Sequence, residues 1–135
     1  MIVDTGAFVA AANASEPDHT ACARLLAEAR GLLIVPAMVV AEATFMIERA
    51  GGAAAEARFL RSLRSPRYII EAPTPEDLER AAELVEQYAD LPLGGTDASV
   101  VALAERLGEP TLASLDRRHF SVVRPRHVEA FDVRP

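Results

Sequence analysis

Gly31-Leu32-Leu33-Ile34-Val35-Pro36 is the stretch on which the fold turns. Four consecutive apolar residues bounded by glycine and proline are too short a run for a helix, and they read as a strand buried on both faces. Gly31 ends the helix before it. Pro36 opens the helix after it, because its fixed φ suits the first turn and its missing amide hydrogen costs nothing there. A strand set between two helices is the repeating unit of a parallel sheet.

The same alternation continues outward in both directions. Upstream, Met1-Ile2-Val3 reads as a short strand followed by a helix from Thr5 to about Ala12. Ser15-Glu16-Pro17-Asp18 has the spacing of a second helix start, with Ser15 as the candidate cap and Ala29 near its end. Downstream, the helix opened by Pro36 is broken at Gly51-Gly52, and another runs from about Ala53 to Leu63, ahead of a strand at Tyr68-Ile69-Ile70. Thr74-Pro75-Glu76-Asp77 is a strong start signal, combining a hydroxyl cap, a first-turn proline and acids at the positive end of the helix dipole. A helix from Thr96 to Leu107 is stopped by Gly108 and Pro110. Thr111-Leu112-Ala113 forms a strand, and Ala130-Phe131-Asp132-Val133 is the candidate last one. The expected fold is therefore α/β with a mainly parallel central sheet, built as one domain over residues 1–135.

Composition narrows the class. Half of the 135 residues are hydrophobic and a quarter charged, enough apolar surface for a real core. No run approaches the roughly 20 apolar residues of a membrane span, and the N-terminus lacks the basic flank of a signal peptide, so the expectation is a cytoplasmic protein with no membrane association. Cys22, the only cysteine, reads as a small buried helix residue. The net charge of −6 is uneven. Residues 117–135 hold Arg117, Arg118, Arg124, Arg126 and Arg134 against Glu129 and Asp132, a local +3, leaving −9 on the first 116 residues. All fourteen basic residues are arginine. Overall acidity argues against nonspecific nucleic-acid binding by bulk charge, though a local arginine patch can position phosphates. Arg61, Arg64 and Arg67, with Arg117, Arg118, Arg124 and Arg126, are the candidates.

Four acids stand in apolar surroundings: Asp4, Glu42, Asp97 and Asp116. Asp4 and Asp116 follow strands, and ligands in open parallel sheets bind beyond the carboxyl ends of strands. Asp97 opens a helix whose inward stripe continues through Val100, Val101 and Ala104. Helical spacing places Glu42 on the face shared by Met38, Val39, Phe45 and Met46. By contrast, Glu79, Glu83, Glu86 and Asp90 read as a solvated face opposite Leu78, Ala82, Val85 and Ala89. Each of the four acids has a plainer explanation: Asp97 complements a helix dipole, Asp116 caps a turn, Asp4 caps the helix starting at Thr5, and Glu42 pairs with an internal arginine. One shared cation accounts for all four together. Carboxylates about 4 Å apart repel by roughly 4 kcal/mol at an effective dielectric near 20, so a gathered quartet requires metal, protons or basic partners.

Four segments give the chain a resemblance to the PIN-domain ribonucleases, in particular the VapC toxins of type II toxin-antitoxin systems. They are Ile2-Val3-Asp4-Thr5, Val40-Ala41-Glu42, Thr96-Asp97-Ala98 and Ser114-Leu115-Asp116-Arg117-Arg118-His119-Phe120, and their order and spacing span nearly the whole chain. The resemblance implies a three-layer α/β/α sandwich and a metal-dependent endoribonuclease. Asp4, Glu42, Asp97 and Asp116 then match the family's acidic positions, as ligands or outer acceptors of Mg²⁺ or Mn²⁺. Thr5 and Ser114 are supporting residues: Thr5 to orient Asp4 or a bound water, Ser114 to retain a hydroxyl where the family often has threonine. Arg117, Arg118 and His119 are possible RNA contacts, His119 being otherwise a surface histidine without a role. The implied partners are RNA, a cognate VapB-like antitoxin and a second copy of the chain in a homodimer.

Rival readings meet obstacles in the residues. A phosphoacceptor receiver domain relies on a lysine, and there is none. A haloacid-dehalogenase phosphatase needs a second aspartate two residues after the first, where this chain has Gly6. The remaining alternative is a PIN-like module that binds RNA or protein without cleaving, and retention of all four acids argues against it.

Overall fold

Five short strands, β1 (Ile2–Val3), β2 (Leu33–Pro36), β3 (Tyr68–Glu71), β4 (Thr111–Ala113) and β5 (Asp132–Arg134), form one sheet in the order β3-β2-β1-β4-β5. Every pairing is parallel in this computed structural model, which describes residues 1–135. Six helices connect them: α1 (Thr5–Ala12), α2 (His19–Glu28), α3 (Ala37–Ser62), α4 (Pro75–Gln87), α5 (Gly95–Leu107) and α6 (Arg117–Phe120). Ile2, Val3, Leu33, Val35, Leu112 and Ala113 are all fully buried, so helices cover both faces, as parallel sheets require. The α/β/α expectation is met. No helix is long and apolar enough to cross a membrane.

Strand order explains where a site can form. The chain steps outward from β1 through β2 to β3, then returns to place β4 and β5 on the other side of β1. The order thus reverses between β1 and β4, and at such a point the connections diverge and leave a crevice beyond the strand ends. Ile2 is in register with Leu112 and Val3 with Ala113, and the Asp4 amide donates to the Ala113 carbonyl at 2.9 Å. Residues 4 and 114–116 therefore leave adjacent strands side by side.

Helix starts and stops follow local chemistry in most places. Thr74 caps α4 with a reciprocal box, its hydroxyl accepting from the Asp77 amide at 3.1 Å while the Asp77 carboxylate accepts from the Thr74 amide at 3.0 Å. Gly108 ends α5 in the left-handed conformation. Gly52 interrupts α3 at φ 69°, ψ −177°, so the predicted break is a sharp kink between two helical halves.

Several expectations need correction. α2 starts at His19, behind Asp18 rather than Ser15; the Ser15 amide instead donates to Asn13 Oδ1 in a turn. β2 omits Leu32, which is 55 % exposed, and β5 is shifted to Asp132–Arg134. The inward face of α3 consists of Val39, Ala43 and Ile47, whereas Phe45 and Met46 are exposed and Glu42 with them. On α4 the inward residues are Asp77, Ala81 and Leu84, whereas Leu78 and Val85 face outward. In both helices the inward face mixes small and large side chains, Ala43 with Ile47 and Ala81 with Leu84, and the rotation of the helix against its neighbours leaves Phe45, Met46, Leu78 and Val85 to one side. The polar side of α4 is not simply solvated either. Arg80 reaches across to Glu105 of α5 through two hydrogen bonds of 2.8 and 3.0 Å, and also to Glu83 at 3.0 Å.

Candidate metal centre

At the β1–β4 switch the four acids lie at graded depth. Asp4 is the floor, 4 % exposed, with Ser114 fully buried beside it and Thr5 buried next in the chain. Asp97 and Asp116 form the walls, their side chains partly exposed, and Glu42 stands at the exposed rim. Strand ends place Asp4 and Asp116, the start of α5 places Asp97, and the second turn of α3 places Glu42.

Hydroxyl groups tie the acids together. Ser114 Oγ donates to Asp4 Oδ2 at 2.6 Å and accepts from the Asp116 amide at 2.9 Å, so one buried side chain sets the spacing of two acids. Thr5 Oγ1 donates to Glu42 Oε2 at 2.5 Å. Thr5 therefore orients the rim acid rather than Asp4, a difference from expectation. Glu42 forms no ion pair, which removes the internal-arginine explanation for it.

Asp97 and Asp116 each do local work as well. Asp97 Oδ2 accepts from the Gly94 amide at 3.3 Å at the start of α5, and Asp116 Oδ1 accepts from the His119 amide at 2.9 Å to cap α6. The plainer capping roles are thus real, and each leaves the carboxylate with further accepting capacity.

His119 is not a loose surface side chain. Its Nδ1 lies 2.5 Å from Asp116 Oδ2 and 3.8 Å from Asp97 Oδ2, while Nε2 contacts the Leu91 carbonyl at 2.9 Å. Sequence reading missed this placement. The spacing Asp116-x-x-His119 was a signal for the first contact, since residues three apart meet at a helix start, but nothing local announces Leu91.

Titration behaviour follows the depth. Burial pushes the Asp4 carboxyl up to about 6, against the lowering effect of the Ser114 hydroxyl and the Thr5 amide, and the Asp97 and Glu42 carboxylates add to the rise. Burial likewise raises Asp97, opposed by the Gly94 amide and His119. For Asp116 burial acts upward, but hydrogen bonds from the His119 amide and ring outweigh it and hold the carboxyl below its usual range. For His119 burial acts downward and is outweighed by Asp116, so the imidazole is raised.

The donor set fits a hard divalent cation. Asp4 is a nearly buried carboxylate whose side-chain partner is a neutral hydroxyl and whose charged neighbours, Asp97 and Glu42, are acids. No arginine pairs with any of the four. One ligand atom each from Asp97, Asp116 and His119 lie within 4.8 Å of one another. Oxygen ligands of this kind suit Mg²⁺, Mn²⁺ and their relatives.

The family profile of the PIN domain matches residues 1–124. This chain belongs to the PIN-domain family. The domain is 38 % identical over 125 residues to Ribonuclease VapC26 of Mycobacterium tuberculosis, covering 93 % of each chain. Its fold is also similar to the crystal structure of Mycobacterium tuberculosis VapC20, described as a sarcin-ricin loop cleaving toxin, with a TM-score of 0.84, 21 % identity, and coverage of 99 % of this chain and 98 % of that one. That likeness supports the fold.

The basic residues of the PIN domain sort into committed and free. Arg67 is committed: its guanidinium donates to the Ala27 and Ala29 carbonyls at 2.9 and 2.8 Å, capping the end of α2. Arg126 donates to Glu83 at 2.7 Å, and Arg124 to the Ser121 carbonyl at 3.0 Å. Arg117 and Arg118, exposed beside Asp116, make no ion pair.

Proposed function

We propose that this PIN domain is a metal-dependent endoribonuclease, the toxin of a VapBC-type pair, with Mg²⁺ or Mn²⁺ as its ion. The observation that carries the reading is Asp4, a carboxylate held at the switch point by a hydroxyl, with two further acids as its charged neighbours. Asp4, Asp97 and Asp116 would hold the ion, and Glu42 would act in the outer shell or toward a second ion. A bound divalent ion supplies a water of lowered pKa and offsets negative charge on the phosphoryl oxygens. The chain's own part is positional. Ser114 fixes Asp4 relative to Asp116, and Thr5 fixes Glu42 at the rim. Attack by water leaves a 5′-phosphate and a 3′-hydroxyl without using the 2′-hydroxyl, so RNA preference arises in binding, to which Arg117 and Arg118 contribute charge.

The partners in this reading are RNA, a VapB-like antitoxin and a second copy of the chain, and the protein acts in the cytoplasm. Exposed Phe45 and Met46, on α3 one turn beyond Glu42, are apolar surface available to a partner.

The test is cleavage of RNA by the purified protein with and without chelator, compared with Asp4→Asn and Asp97→Asn. Wild type should cleave only with added Mg²⁺ or Mn²⁺, and each folded variant should lose on the order of 10²-fold or more in rate. Undiminished cleavage by either folded variant would overturn the assignment.

A further inference from the structure

We propose that His119 is itself a ligand of the ion held by Asp97 and Asp116, giving the site a nitrogen donor beside its carboxylates. This rests on the metal-dependent reading above and concerns which atoms bind.

Nε2 lies 2.9 Å from the Leu91 carbonyl oxygen, which can only accept, so Nε2 is the nitrogen that carries a hydrogen there. Nδ1 faces the site, 2.5 Å from Asp116 Oδ2 and 3.8 Å from Asp97 Oδ2; in the metal-free chain it donates its own hydrogen to Asp116, and that hydrogen must leave as an ion takes its place. A histidine that ligates a metal almost always donates its other ring N–H to a carboxylate or backbone carbonyl, which fixes its tautomer and orientation. Leu91 provides that carbonyl from the segment between α4 and α5, 28 residues away. The ring is thus aimed by tertiary structure, not only by the turn of α6.

Spacing agrees with orientation. One ligand atom from each of Asp97, Asp116 and His119 falls within 4.8 Å of the other two. Ligand bonds of about 2.0–2.2 Å place the donors of one ion roughly 3–4 Å apart, within a small adjustment of that spread. The other two histidines are engaged elsewhere, His19 with the Ala10 carbonyl and His127 with the Glu109 carbonyl.

A nitrogen donor has a consequence for selectivity. Carboxylates accept Mg²⁺ and Mn²⁺ alike, whereas imidazole favours transition-metal ions over Mg²⁺. The site should therefore prefer Mn²⁺ by more than carboxylates alone would give, and the excess should reside in one side chain.

The experiment uses the full chain, freed of metal by chelation and loaded with Mn²⁺. Electron spin-echo envelope modulation reads nitrogen bonded to the ion, and calorimetry compares Mn²⁺ with Mg²⁺ for wild type and His119→Gln. Wild type should show modulation from one imidazole nitrogen. His119→Gln should lose it, with Mn²⁺ affinity falling about tenfold or more and Mg²⁺ affinity falling less. Bound Mn²⁺ without nitrogen modulation in wild type overturns the proposal, as does modulation that survives in the variant or equal losses for the two ions. The wild-type spectrum decides even if the variant does not fold. Oxygen-only Mn²⁺ with RNA cleavage intact would remove His119 as a ligand and leave the nuclease reading standing. Nitrogen-bound Mn²⁺ without cleavage would do the reverse, and failure to bind Mn²⁺ would remove both.

Discussion

Asp4 is the residue whose chemistry the fold alters most. Its carboxyl moves from 3.8 to about 6, chiefly through burial. Between those values the native chain holds a proton that the unfolded chain has released, so stability of the metal-free protein falls as pH rises. The contribution is full below about pH 4 and lost once pH passes about 6, a difference of about 3 kcal/mol at roughly 1.4 kcal/mol per unit. Urea unfolding in chelator across pH 4 to 7 should show this decline in wild type, and Asp4→Asn should flatten it. Parallel curves for the two proteins would mean that Asp4 is not held in the environment described here. The same proton must leave before a cation enters, so the floor of the site exchanges one positive charge for another.

At the scale of elements, what was legible in the sequence was what local chemistry decides. Strand–helix alternation, the Thr74 cap and the Gly52 break depend on residues adjacent in the chain, and all are present. The gathering of acids at strand ends was legible for the same reason: Asp4 and Asp116 each sit within three residues of a strand. The inward faces of α3 and α4 were not, because the rotation of each helix is set by tertiary packing, which buries Ala43 with Ile47 and Ala81 with Leu84 and leaves the apolar Phe45 and Leu78 outside. His119 escaped because its second contact comes from Leu91, far away in sequence. Three variants test the elements. Gly52→Ala meets no atom within 4 Å at the new Cβ, so its cost is purely the backbone conformation at φ 69°, about 1–3 kcal/mol by denaturant midpoint. The Arg80–Glu105 pair joins α4 to α5 with side chains only 12 % and 9 % exposed. Arg80→Ala should destabilise by about 3 kcal/mol, since it leaves Glu105 buried without its guanidinium, whereas Arg80→Met with Glu105→Leu should cost far less. Equal losses would show that packing area, not an orphaned charge, sets the penalty.

The whole molecule presents an apparent conflict, a protein of net charge −6 acting on a polyanion. Its resolution is in how the arginines are distributed. Arg24, Arg80, Arg106, Arg126 and Arg134 are neutralised by acids, and Arg67 caps a helix, so they add little to an RNA-facing field. Of the arginines without ion pairs, Arg117 and Arg118 adjoin the acids, exposed in the first turn of α6 directly after Asp116. If this pair at the mouth of the site carries the attraction to RNA, few counterions should be released on binding. For single strands each phosphate contact contributes about 0.7 to the slope of log affinity against log salt. Arg117→Ala with Arg118→Ala should lower that slope by about 1.4 and raise KM, with kcat little changed, because the acids that hold the ion are untouched. Arg61→Ala with Arg64→Ala, distant in sequence from the four acids, should leave the slope as it is. If the second pair shifts the slope and the first does not, RNA lies along α3 rather than across α6, and the mouth of the site has been placed on the wrong side.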